Sequence, residues 1–347
     1  MKALRVGLIG QGYAGRTFHA PLIETTPGLQ LVATAGRDAP ALLAAGGLDL
    51  VVIASPNDSH APLARAALAA GCHVVVDKPF ALDADEAAAL VAQARAAQRV
   101  LSVFHNRRWD NDFLAVRALL AERDMGNLGR LGRLTRAELA FDRYRPQVRE
   151  RWREGDGPGA GLWMDLGPHL LDQALQLFGW PQALQADIAR QRDGARADDA
   201  FCVRLRYASG LRVTLQASML AAWPRPRFAL HGTAGSARVE GLDPQEDQLK
   251  AGLRPGAPGW GRDARQLLLA LGTPAADAPL AHEALPLPAG AYPAYYAAVR
   301  DAILGHGPVP VPAGEALQVM QLLDLGRASA GARAELATPS PAPALPT

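Results

Sequence analysis

Apolar positions in the first third of the chain come in short runs, and stretches of helical spacing separate them. Val6, Leu8 and Ile9 make the first run, which stops at Gly10. A helical stretch from Tyr13 to Thr25 follows, and Leu29 to Ala35 reads as a second strand. Asp49 to Ala54, His73 to Val76 and Val100 to Phe104 are further strands, with helices over Ala61 to Ala70 and from the Asp83/Glu86 capping signal to about Arg99. Five strand-helix units of this kind predict a doubly wound α/β domain with a parallel sheet. Between Asp38 and Leu48 the residues DAPALLAAGGL leave room for one short crossover helix. The sheet is therefore expected to be truncated after its second strand.

From about Leu131 the pattern changes to longer alternating runs. Leu131 to Phe141, Ala183 to Gln191, Phe201 to Tyr207 and Leu211 to Met219 read as strands, with Ala208-Ser209-Gly210 as a hairpin turn. Arg227 to His231 and Ala237 to Glu240 flank a second turn at Gly232 to Gly235. Strands joined by turns predict an α+β domain with a large open antiparallel sheet. Helices are expected over Pro168 to Phe178, with the proline in the first turn, and over Tyr295 to Leu304 and Glu315 to Ala328. The expected organisation is the α/β domain over 1–117, the α+β domain over 118–335, and a disordered Pro-rich tail over 336–347.

Composition narrows the function classes. A formal charge of +2 in 347 residues argues against nucleic acid or an anionic membrane as partner. No apolar run approaches the roughly 20 residues that span a bilayer, and Lys2 leads straight into a strand rather than a signal peptide, so the expected location is the cytoplasm. Cys72 and Cys202 stand far apart in apolar surroundings, as buried thiols do.

Gly10, Gly12 and Gly15 fall at the G-x-G-x-x-G spacing, after a strand and at the opening of a helix. The first glycine permits the tight turn, the second lets backbone approach a pyrophosphate, and the third lets helix and strand pack closely. Gly10, Gln11, Gly12, Tyr13, Ala14 and Gly15 are thus the expected cofactor turn, with phosphate at the helix N-terminus. Arg37 stands at the end of the second strand, where a cation suits the extra phosphate of NADP, and Asp38 beside it leaves NAD open. Ser55, Pro56, Asn57 and His60 follow the third strand at its carboxyl end, where ligands sit in open parallel sheets.

Lys78 ends the fourth strand, and in a cleft it could hydrogen-bond a substrate hydroxyl and help move its proton. Outside a cleft it would be an ordinary turn lysine. Asp165 and His169 are four apart at a helix start and can face one site, the imidazole as base and the carboxylate as its orienting partner. Helix capping by Asp165 and a satisfied buried His169 are the bland alternatives. A metal held by Asp165, His169 and Asp172 lacks a second cluster of His or Cys, so none is expected. His105 to Trp109, Tyr144, Arg145, Trp152 and Trp163 concentrate donors, acceptors and flat apolar faces between the domains, as a carbohydrate site would.

With these residues in place the chain resembles the Gfo/Idh/MocA oxidoreductase family, from the N-terminal glycines to about Arg333. The family's E-K-P motif appears as Asp77-Lys78-Pro79, and its G-G-x-x-x-D-x-G-x-H-x-x-D motif matches GAGLWMDLGPHLLD from Gly159 to Asp172. The stretches FHNRRWDNDFL, YRPQVRERWRE, DLGPHLLDQALQLFG and DPQEDQLKAGLRPG are similar to those of NADP-dependent scyllo-inositol 2-dehydrogenases. The resemblance implies Lys78, Asp165 and His169 as the catalytic trio. It implies the glycine turn, Arg37, Ser55, Pro56, Asn57, His60, Asp77 and Lys78 as cofactor positions. His105, Asn106, Tyr144 and Arg145, with Asp165 and His169, are implied against the polyol. It further implies NADP as cofactor with NAD as the variant, a small polyol as partner, and a homo-oligomer formed through the antiparallel sheet. Asp77 in place of Glu and the short segment after Arg37 are the two departures. Another sugar or cyclitol as substrate, and a non-catalytic nucleotide-binding sensor, are the alternatives.

Overall fold

The computed structural model describes residues 3–36, 38–122, 129–272 and 279–341. The first domain is built from β1 (Leu4–Ile9), α1 (Ala20–Thr25), β2 (Leu29–Ala35), α2 (Ala39–Ala45), β3 (Leu50–Ile53), α3 (His60–Ala69), β4 (His73–Val76), α4 (Ala84–Ala96) and β5 (Leu101–Val103). Its five described strands are all parallel, in the order β2-β1-β3-β4-β5. β3 and β4 are buried along almost their whole length, as strands covered on both faces must be, which explains their unbroken runs of Val, Leu and Ile. The sheet ends at β2, and α2 alone crosses from β2 to β3, so the expected truncation is present.

The glycine turn has the shape its spacing predicts. Gly10 has φ +115°, and a Cβ there would stand 2.3 Å from the Ala54 carbonyl oxygen. A Cβ on Gly15 would stand 1.9 Å from the Gly10 oxygen. The chain then enters a π-helical turn, Gly15–His19, before α1.

The second domain takes up α5 (Asn111–Ala121), β6 (Leu134–Ala140), α6 (Leu162–Phe178), β7 (Ala183–Ala189), β8 (Ala200–Arg206), β9 (Arg212–Ser218), β10 (Phe228–Gly232), β11 (Gly235–Val239), α7 (Gln245–Lys250), β12 (Gln266–Leu271), β13 (Ala281–Pro286), α8 (Pro293–Ile303), α9 (Ala313–Ala332) and β14 (Leu336–Ala337). The described strands form one sheet in the order β13-β12-β11-β10-β6-β9-β8-β7-β14. The sheet is mixed rather than antiparallel, because β6 and β9 run parallel. Between β6 and β7 the chain crosses through α6, and a helical crossover returns the next strand in the same sense. β12 and β13 were not expected from the sequence.

Two further expectations are corrected. α6 begins at Leu162, so Pro168 lies in its interior. The forfeited hydrogen bond is outweighed by the anchoring around it: Asp198 Oδ2 accepts from Trp163 N at 2.6 Å, and Gly167 lies where a Cβ would meet the Trp163 ring at 2.8 Å. The tail does not start out disordered. Leu336 and Ala337 pair with Leu184 and Ala183, and Thr338 N donates to Gln182 O at 3.0 Å. An exposed strand edge offers unpaired backbone groups, and the tail satisfies them whatever its own composition. Residues 342–347 of that expected tail lie outside the described residues.

Candidate functional site

A cavity of about 490 Å³ opens where the carboxyl ends of the first sheet's strands meet α6 and the segment following β6. Tyr13, Ala14, Asp77, Lys78, Asn106, Arg107, Arg145, Trp152, Asp165 and His169 line it, so the structure gathers ten of the expected residues from six separate segments.

Lys78 is delivered by the end of β4. Asp77 N donates to Ile53 O at 2.8 Å, and Asp77 Oδ1 accepts from Lys78 N at 2.8 Å, which fixes the turn. Lys78 Nζ then spans the cavity floor to α6, donating at 2.8 Å to both Asp165 O and Asp165 Oδ1. An ammonium has three N-H donors, so one remains for a ligand. Burial would push the Asp165 carboxyl up, but Lys78 and Arg153 outweigh it and hold the group below the ordinary carboxylate range. Asp77 behaves alike: despite burial, His19, Lys78 and His60 bring it down to about 2. Asp77 Oδ2 lies 3.9 Å from His19 Nε2, and His19 Nδ1 is 2.6 Å from the Tyr296 hydroxyl.

His169 stands one helical turn beyond Asp165 and is 4% exposed. Asp165 is committed to Lys78, and the described residues show no hydrogen bond between it and His169, which corrects the expectation that the carboxylate orients the imidazole. His169 Nδ1 is sealed off with no partner among the described residues, leaving Nε2 as the nitrogen able to meet a ligand. Burial, and after it the charges of Lys78 and Arg107, push its pKa well below the ordinary value. The ring is therefore neutral near pH 7 and able to accept a proton.

Other expected residues take different places. His105 lies beneath the cavity rather than in its wall, 2% exposed, with neither ring nitrogen partnered among the described residues, and burial brings its pKa down to about 4. Tyr144 points outward and is 61% exposed. Backbone pairing along 141–145 makes that stretch extended, so neighbouring side chains face opposite ways and Arg143 and Arg145 take the cavity side. Trp163 is core: its Nε1 donates to Leu323 O at 3.1 Å.

The cofactor positions divide similarly. A Cβ on Gly12 would have nothing within 4 Å, and that open backbone is what close approach of a pyrophosphate needs. Ser55 is half-buried beside Ser59, 2.6 Å between their hydroxyl oxygens, and Pro56 and Gln11 are exposed at the rim. Asn57 Nδ2 is occupied with Gly159 O at 2.9 Å. His60 is buried, its Nδ1 2.8 Å from Pro79 O and its Nε2 3.0 Å from Ser55 O. Burial lowers its pKa, and a neutral ring has a single N-H, so it donates to one of these two carbonyls while the other nitrogen merely lies against its neighbour. The ring sits packed between the two loops rather than open to a ligand. Arg37 lies outside the described residues.

The matches agree with this geometry. Residues 37–105 match a family described as "Oxidoreductase family, NAD-binding Rossmann fold", and residues 126–337 match "Oxidoreductase family, C-terminal alpha/beta domain". The chain belongs to the Gfo/Idh/MocA oxidoreductase family. Among its relatives, the uncharacterized oxidoreductase YdgJ of Escherichia coli is 49% identical, over 96% of this chain and 98% of that protein. The scyllo-inositol 2-dehydrogenase (NADP(+)) IolW of Bacillus subtilis is 32% identical over 92% of each. The solved structure of YPO2259 from Yersinia pestis superposes with a TM-score of 0.90 at 47% identity, covering 98% of both chains. Membership makes this a nicotinamide-dependent oxidoreductase, and the open backbone at Gly12 fits such a dinucleotide. No helix among the described residues is long and apolar enough to cross a membrane.

Sequence reasoning missed much of the cavity wall. Glu246 of α7 accepts from the Tyr13 hydroxyl at 2.7 Å and from Arg107 Nη2 at 3.1 Å, tying the glycine turn to the second domain. Its pKa falls to about 2 because Arg107, Tyr13 and Lys250 outweigh burial. Arg143, Arg149, Arg151 and Arg153 were also missed as wall residues. The signal for them was the two-residue recurrence of arginine in DRYRPQVRERWR.

Proposed function

We propose that the chain catalyses reversible hydride transfer between NADP and a secondary hydroxyl of a ring polyol, with scyllo-inositol as the first candidate substrate. The observation that carries the reading is the union of Lys78, Asp165 and His169 in one cavity that Tyr13 and Ala14 of the glycine turn also line. A bound nicotinamide dinucleotide supplies the hydride acceptor, and in the reverse direction the donor.

The protein's own work is positioning and proton transfer. The third N-H of Lys78 donates to the substrate oxygen, and the two bonds to Asp165 keep the ammonium in place. Neutral His169 accepts the hydroxyl proton as the carbinol carbon loses its hydride, and the carbonyl double bond forms between that carbon and its oxygen. Asp165, held ionised, supplies negative charge that offsets Lys78 and the protonated imidazole. NADP rather than NAD rests on Arg37, and scyllo-inositol rests on the likeness to IolW.

The test is nicotinamide absorbance on mixing purified protein with NADP or NAD and scyllo-inositol or myo-inositol. Turnover is expected, and His169→Ala is expected to lower it about 10²-fold or more with cofactor affinity retained. A near-normal rate in that variant would sink the assignment of the base.

A further inference from the structure

The cavity carries more positive charge than a neutral polyol requires. Eight cationic and three anionic side chains line it. Most of the cations are compensated: Lys78 and Arg153 face Asp165, Arg107 faces Asp110 and Glu246, Arg151 faces Glu154, and Lys250 faces Glu246 and Asp247. Arg143, Arg145 and Arg149 are different, for among the described residues none of their guanidinium groups has a carboxylate oxygen within 4.0 Å.

Their placement is built rather than incidental. Arg143 N donates to Ser218 O at 2.9 Å, Arg145 N donates to Met219 O at 2.7 Å, and Ala221 N donates to Arg143 O at 3.0 Å. This pairing fixes an extended strip whose alternate side chains, Arg143 and Arg145, enter the cavity. The Arg143 guanidinium lies 4.9 Å from the centre of the Phe141 ring, which orients it. Arg149 is anchored through its backbone N-H to Glu154 Oε2 at 3.0 Å. Burial above all pushes the Arg143 and Arg145 guanidinium groups below their ordinary pKa; Asp165 works against this at Arg143, and the charges of Arg149 and Arg151 add to it at Arg145. Arg143 also helps hold down the Asp165 carboxyl, which puts its charge on the reacting side of the cavity.

We propose that Arg143, Arg145 and Arg149 form an oxyanion subsite, and that the preferred substrate is a ring polyol or sugar bearing a carboxylate or phosphate. The inference rests on the dehydrogenase reading and narrows it. Guanidinium groups are donors only, and their planar forks match the paired oxygens of a carboxylate or phosphoryl group. A hydroxyl could accept one such bond but would leave the mutual repulsion in place. A cofactor pyrophosphate would be held at the open backbone of Gly12, on a different segment.

The test compares matched pairs with NADP: glucuronate against glucose, and an inositol monophosphate against scyllo-inositol. The two pairs separate the carboxylate and phosphate sources. In wild type, kcat/KM for the charged member of at least one pair is expected to exceed that of its neutral partner about tenfold or more. In Arg145→Gln and Arg149→Gln the ratio is expected to fall toward one, and salt should erode the wild-type preference. Equal or better use of the neutral members overturns the proposal. So does a loss of NADPH affinity in Arg145→Gln with the ratio unchanged, which would give these arginines to the cofactor. If no compound is turned over, the dehydrogenase reading has failed, and calorimetric titration of glucuronate against glucose still decides the subsite. Tighter glucuronate binding that Arg145→Gln abolishes upholds it, and indifference between the two overturns it.

Discussion

His105 makes this fold acid-sensitive in a way that can be isolated. Its imidazole is 2% exposed, and its pKa drops to about 4 from the ordinary 6.5, through burial and the nearby charges of Arg108 and Lys78. Below about pH 6.5 the unfolded chain takes up a proton that the folded chain refuses, so stability falls as pH drops toward the folded value. Between about pH 7.5 and about pH 5 the loss from this one group is about 2 kcal/mol, because each tenfold difference in proton affinity between the folded and unfolded chain is worth about 1.4 kcal/mol. Asp198 and Asp243 act oppositely in the same window. Burial raises both to about 6, so the folded carboxyls gain protons before the unfolded ones and add stability as pH falls. The net slope of wild type is therefore not diagnostic, and the comparison with His105→Asn is. Urea denaturation of both proteins at the two pH values gives the stability gap between them. That gap is expected to shrink by about 2 kcal/mol on acidification, because the variant lacks the group that resists protonation. A gap constant to within about 0.5 kcal/mol would refute the reasoning. A neutral His105 also matters to the cavity above it, since a cation there would oppose protonation of His169.

Two further outcomes follow from contacts already described. Gly12→Ala should fold with a stability change within about 0.5 kcal/mol yet bind NADPH about tenfold or more weakly, whereas Gly15→Ala should lose about 3 kcal/mol, because its Cβ would meet the Gly10 oxygen. Thermal melting and cofactor titration separate the two, and weak folding of Gly12→Ala would contradict the open space at that position. Arg108 Nε lies 2.9 Å from Asp172 Oδ2 in a buried pair that also reaches Glu315, so Arg108→Leu should cost about 3 to 5 kcal/mol by stranding the carboxylate. A loss under about 1 kcal/mol in denaturant would show that water or Glu315 rearrangement satisfies Asp172.

Asp165 and His169 could be read as neighbours from their spacing alone, because a helix brings positions four apart onto one face. Their different tasks could not be read that way. Lys78 comes from a strand 87 positions away, and its arrival takes Asp165 from the imidazole. Tyr144 and Arg145 look equally suited to a polyol, yet the backbone pairing of 141–145 sends one outward and the other in. His60 carries the right chemistry at the right strand end, but its ring is buried between the loops at Ser55 and Pro79, where its one N-H is spent on a backbone carbonyl. β12 escaped notice because QLLLAL has neither a two-residue alternation nor turn residues close on both sides, so only its partners mark it as a strand.

By itself the sequence determined the features that depend on local stereochemistry. These are the strand-turn-helix at Gly10 to Gly15, the alternation of strands and helices before about residue 117, the missing sheet edge after β2, and the motif residues at Lys78, Asp165 and His169. Short-range sterics and periodicity act over a few residues, so they are written in consecutive positions. Tertiary structure alone decided the parallel pairing of β6 with β9, the use of the tail as an edge strand, the tie from Tyr13 to Glu246, and which arginines face the cavity unpaired. Each of these depends on charge, burial or hydrogen bonds between segments remote in the chain, and such energies exist only after the chain has folded.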